Sequence, residues 1–110
     1  MLKTSLDALA REQLEAAHRA SSGRAASTVV GGHERQLRQT VIALVAGAEL
    51  SEHDNPGEAS LYVISGRVEL TSAGEVWQAR TGDLVEIPSA RHSVSAVEDS
   101  VFLLTAVPTS

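Results

Sequence analysis

The chain has 110 residues, 43% of them hydrophobic and 21% charged, with a formal net charge of −5. That length and apolar content suit one globular domain with a single core, and are too apolar for a disordered chain. Only 9 residues are Lys or Arg, so there is no basic cluster to neutralise phosphates, and with 0 cysteines there can be no disulfide, thiolate metal site or cysteine nucleophile.

Aromatic residues make up only 3%, so the core must be built from Val, Leu, Ile and Ala. No apolar run reaches membrane-spanning length. Asp7, Arg11 and Glu12 interrupt any signal-peptide core. The expectation is a cytoplasmic protein with neither a membrane nor a nucleic acid as partner.

Residues 4–20 read as a helix. Thr4 or Ser5 can cap it, and Asp7 in the first turn suits the helix dipole. Leu6, Leu9, Ala10, Leu14 and Ala17 form one apolar stripe at helical spacing. Ser21, Ser22 and Gly23 end the run, with Gly23 expected as the left-handed stop. His18, beside Arg19, reads as solvent-exposed. The division expected is a helical segment over 1–24 and a β domain over 25–110.

From Ala26 the pattern turns to β. A short strand over 27–30 is broken by Gly31-Gly32, and His33 follows in a polar loop. Residues 37–45 place Gln39, Val41 and Ala43 on one face and Thr40, Ile42 and Leu44 on the other. Two largely apolar faces imply a strand covered on both sides. The helix stripe and this strand together offer more apolar surface than one small domain readily covers, which predicts a two-fold homodimer.

Asp54-Asn55-Pro56-Gly57 is a concentrated turn signal, and strands are expected over 60–64 and 67–71. In the second of these, Val68 and Leu70 alternate with polar residues. Ala73-Gly74 is a hairpin turn into 76–79, and Thr81-Gly82-Asp83 turns the chain into Leu84–Ile87. Strands over 93–97 and 101–107 complete the set. Short strands at this spacing mark an all-β sandwich or barrel.

Two stretches stand out within that pattern, GAELSEHDNPGEASLYVISG from Gly47 and GDLVEIPSARH from Gly82. Each has a glycine, a short β-type run, a proline and a histidine, as two strands would if they delivered His53 and His92 to one interior. The chain resembles a small single-domain cupin, a jelly-roll β-barrel, over roughly residues 35–107. Gly47, His53 and Gly66 match the first motif of that family, and Gly82, Pro88 and His92 match the second, with Ala90 in place of its glycine.

The resemblance implies a divalent metal (Zn, Fe, Ni or Mn) held by three histidines and a glutamate. Here Asn55 stands at the second histidine position and Ala59 at the glutamate position, with Glu58 one residue off and so facing the other way on a strand. His53 and His92 are the metal ligands that remain. The ligand-binding set is His53, Asn55, Glu58, His92 and Gln39. These residues suit a barrel that binds a small molecule, with a weakly held divalent metal. The alternatives are a metal-dependent oxygenase, isomerase or lyase of the kind the resemblance implies, a metal-free proton transfer by a histidine, and a purely structural homodimer module.

Trp77 reads as surface or sandwich packing, and Tyr62 as an interface residue if its face meets another subunit. No nucleophile elbow or phosphate-binding loop is present.

Overall fold

A computed structural model gives the architecture; residues 1–53, 57–88 and 90–108 are described, with Glu52 and His53 described through their backbone only. One helix, α1 (Leu6–Arg19), precedes nine strands among the described residues. These are β1 (Arg24–Val30), β2 (Arg38–Leu44), β3 (Glu49–His53), β4 (Gly57–Ser65) and β5 (Arg67–Ser72), then β6 (Glu75–Arg80), β7 (Leu84–Ile87), β8 (His92–Ala96) and β9 (Ser100–Pro108).

The helix begins where the sequence supplies a cap. Ser5 holds an extended backbone and its Oγ accepts the Ala8 amide at 3.3 Å. Asp7 lies in the first turn and His18 and Arg19 in the last, each on the side of the dipole that favours its charge. The ending differs from expectation. Ala20 caps the helix in an extended conformation, so no left-handed residue stops it. Gly23 does have a positive φ of 70°, but it shapes the approach to β1, where an added Cβ would meet Val45 Cγ2 at 2.8 Å.

The strands form two antiparallel sheets, one in the order β1-β2-β9-β4-β7 and the other β3-β8-β5-β6. This is the all-β jelly roll with one N-terminal helix. The main core lies between the sheets, where Ile42, Leu44, Leu61, Val63, Phe102, Val68, Leu70 and Val94 pack together. Phe102 is the largest fully buried side chain, so one of very few aromatic residues fills the centre of a core otherwise aliphatic.

A second cluster joins Ala10 and Ala17 of the helix to Val41, Ala43 and Val101 on the outer face of the first sheet. The alternation along β2 is therefore real on both sides: even residues enter the barrel and odd ones meet the helix. This changes the basis on which self-association was expected. The helix stripe and the outer face of β2 cover one another within a single chain.

Beyond the helix, the outer face continues as a row across paired strands: Val41, Leu103, Tyr62 and Leu84. Val41 is buried, Tyr62 is 40% exposed and Leu84 is 70% exposed.

Gly66, between β4 and β5, sits at a corner with φ +95°. A Cβ there would strike Ser100 Oγ and the Asp99 carbonyl, and would lie 2.7 Å from Ser100 Cα. The same corner is tied to the turn after β6. The Gly66 amide donates to Thr81 Oγ1 at 3.0 Å, and the Thr81 amide donates to the Gly66 carbonyl at 3.1 Å.

Candidate functional site

His92 opens β8 and stands at the centre of a row across the second sheet, opposite Ser72 of β5 on one side and His53 of β3 on the other. Only 5% of its surface is exposed. Its Nδ1 lies 3.2 Å from the Ala90 carbonyl, which can only accept, so Nδ1 carries the hydrogen. In the neutral ring the lone pair then belongs to Nε2, the atom able to accept a hydrogen bond or ligate a cation. Ser72, also buried, donates its hydroxyl to the Arg91 carbonyl at 2.8 Å and so holds the strand leading into His92.

In front of His92 lies a cavity of about 190 Å³ between the two sheets. Leu70, Ser72 and Trp77 line it from one sheet, Val85 and Ile87 from the other, and Pro88 follows β7. Glu86, an exposed residue of that strand, lies at its rim. Both flanking strands, β6 and β7, are sheet edges. The cavity thus sits where the two sheets part, with Trp77 at its mouth and 43% exposed.

The residues proposed from the sequence are brought together only in part. His92 is buried in the cavity wall. The backbone of β3 sets His53 directly opposite His92. Asn55 lies outside the described residues.

Glu58 is exposed and occupies the opposite face of β4 from Ala59, whose side chain packs against the barrel core. The position that would hold a carboxylate is therefore a methyl group, and the neighbouring carboxylate points away. Gln39 shares the outer face of β2 with Val41 and Ala43. It donates to Thr105 Oγ1 at 3.2 Å and borders a groove with Leu6, Val29 and Leu103, remote from His92.

Trp77 is the pocket residue that the sequence reading missed. Its neighbours Val76 and Gln78 do not reveal which face of β6 turns inward. The hairpin does: Ala73 and Gly74, both with positive φ, form a two-residue turn. That turn pairs Ser72 with Glu75 and Leu70 with Trp77, and Leu70 is a core residue.

The metal centre that the resemblance implies fits these residues poorly. Imidazole suits Zn, Fe or Ni, and His92 has the carbonyl partner typical of a metal-ligating histidine. Tight sites, however, use three or more protein ligands. Among the described residues no group of three or more His, Cys, Asp or Glu converges.

Away from the cavity, His18 Nε2 meets Asp99 Oδ2 at 2.7 Å, joining the end of α1 to the turn before β9. His18 is exposed, as its sequence context implied, and is also held in place by this contact. Asp99 Oδ1 accepts the Ala46 amide at 2.9 Å. That amide is the main reason the Asp99 carboxyl stays below its ordinary value of 3.8; burial opposes it, and His18 adds to the lowering.

Comparison with known proteins agrees with this geometry. A family model described as the cupin domain matches residues 40–108. No curated protein matches. Among solved structures, a conserved protein of unknown function from Streptococcus pyogenes is 28% identical, with a TM-score of 0.74 over 83% of this chain and 79% of its own. An RmlC-like cupin from Desulfovibrio desulfuricans is 27% identical, with a TM-score of 0.67 over 77% of this chain and 82% of its own. The salicylate 1,2-dioxygenase of Pseudoaminobacter salicylatoxidans shares the fold, with a TM-score of 0.80 at 20% identity, over 94% of this chain but 33% of the enzyme.

Proposed function

The chain belongs to the cupin domain family, and on that premise we propose that it binds a small molecule in the barrel interior, at the end marked by His92. The observation that carries this reading is the cavity itself: an apolar space of about 190 Å³ with one buried imidazole in its wall. Such a space suits a ligand that buries an apolar body and directs one polar group to the histidine. Ser72 and Ala90 fix the ring and the strand that carries it, so little ordering is left to be done when the ligand binds.

His53 and His92 together hold a divalent cation weakly, since two imidazoles give little affinity or geometric control. No chemical step is assigned to that cation. The second reading, a metal-dependent oxygenase, isomerase or lyase, rests on the pairing of the two histidines across β3 and β8. Ala59 in the core and Glu58 on the outer face count against it.

Metal analysis of tag-free protein after dialysis against a chelator separates the two readings. The binding reading predicts well under one metal ion per chain. Stoichiometric Fe, Ni, Zn or Mn surviving dialysis would overturn it.

We also propose that two copies pair through the outer face of β4 and β7, where Tyr62 and Leu84 lie side by side in register and stay exposed. Cytoplasmic residence is part of the same reading. Among the described residues no helix is long and apolar enough to cross a membrane.

A further inference from the structure

We infer that the cavity selects its ligand by charge: it takes a small, ring-sized apolar molecule that carries no negative charge, and Trp77 is the residue that recognises it. The inference rests on the barrel-interior reading and adds the chemical class of the ligand.

Size comes first. At about 190 Å³ the cavity is smaller than the roughly 300–1,000 Å³ typical of pockets for drug-sized ligands, so one ring with a short substituent fills it.

Charge follows from the walls. Leu70, Val85, Ile87 and Pro88 offer no polar side chain, and the Ser72 hydroxyl is already engaged with the Arg91 carbonyl. Among the described lining residues there is no Lys or Arg, and the one carboxylate, Glu86, stands at the rim. With no metal bound, an anion entering this space gives up its hydration and gains no fixed cation from the described lining residues in return, a cost that a neutral molecule avoids. A cationic substituent fares better than an anionic one, because the face of the Trp77 indole attracts it at the mouth.

Trp77 supplies recognition. It pairs with Leu70 across the β5–β6 hairpin, so its indole is positioned as the outer wall of the cavity. A flat ring lying between Trp77 and the β7 side chains gains aromatic contact on one face and aliphatic contact on the other. This is the only tryptophan in the chain, so its fluorescence reports the cavity without interference.

The test uses protein dialysed against a chelator and three probes of one shape: benzyl alcohol, benzylamine and benzoate, each titrated at neutral pH while Trp77 emission is followed. Benzyl alcohol and benzylamine are expected to saturate with dissociation constants on the order of a millimolar, and benzoate at least about ten-fold more weakly.

If benzoate binds as tightly as benzyl alcohol, charge selection is overturned while the pocket stands. If none of the three changes Trp77 emission, the barrel-interior reading itself fails.

Discussion

Replacing Gly66 by alanine tests how the corner between β4 and β5 is built. Two separate costs arise there. The backbone has φ +95°, a region that costs a residue with a Cβ about 1–2 kcal/mol. The new methyl group also meets Ser100 Oγ, the Asp99 carbonyl and Ser100 Cα, and the last two are backbone atoms with no flexible end to move aside. Overpacking of this kind costs about 1–3 kcal/mol. Gly66→Ala should therefore lose about 2–5 kcal/mol in all.

Gly82 provides the control. Its φ is +91°, yet nothing lies within 4 Å of the position its Cβ would take. Gly82→Ala should lose only the backbone part, about 1–2 kcal/mol. Urea unfolding followed by circular dichroism measures both. Thermal midpoints should fall by about 5–10 °C for Gly82→Ala and by about 10–20 °C for Gly66→Ala. Equal losses in the two variants would refute the reasoning, because they would show that the contacts at Ser100 and Asp99 carry no cost.

Three further outcomes are expected. The folded Asp99 carboxyl lies below its ordinary 3.8, so its contribution to stability is fully present above that value and is lost as the pH falls through it and below. Asp99→Asn should flatten the acid limb of a stability profile run from about pH 6 to about pH 2, and an unchanged limb would remove Asp99 from the account. Ala59→Glu restores a carboxylate on the inward face of β4. It should tighten Zn or Ni binding by calorimetry and lower the metal-free melting temperature, since the buried charge costs free energy when no cation is bound. Tyr62→Glu with Leu84→Glu should convert a dimer to a monomer in sedimentation at about 100 μM, and a wild-type monomer at that concentration would dismiss the paired face.

Strands were legible in this sequence because alternation and turn residues act locally. Val68 and Leu70 against Arg67 and Glu69 define β5 and its buried face without further information. The two-sided burial of β2 follows likewise from its uninterrupted apolar run. What covers each side is tertiary information: the helix stripe could pack on this barrel or on a partner's, and the structure sets it on the outer face of β2.

The candidate site shows the same boundary. His92 was legible from its motif, and Ala59 from the count back to Gly66. Glu58 turned outward as strand parity requires. Gln39 could not be separated from the inward residues of β2 until the helix fixed which face was outside. Trp77 could have been found, because the two-residue turn at Ala73-Gly74 places it opposite Leu70 by counting alone. The contact between His18 and Asp99 spans 81 residues and left no local trace.

The most direct measurement of the central claim is a nitrogen–proton correlation spectrum recorded while benzyl alcohol is added. The barrel reading predicts that the single indole resonance of Trp77 moves together with the backbone amides of Leu70, Val85, Ile87 and His92. The helix and the groove bordered by Leu6, Val29 and Gln39 should stay still. Movement confined to that groove, with the Trp77 indole unmoved, would contradict the account.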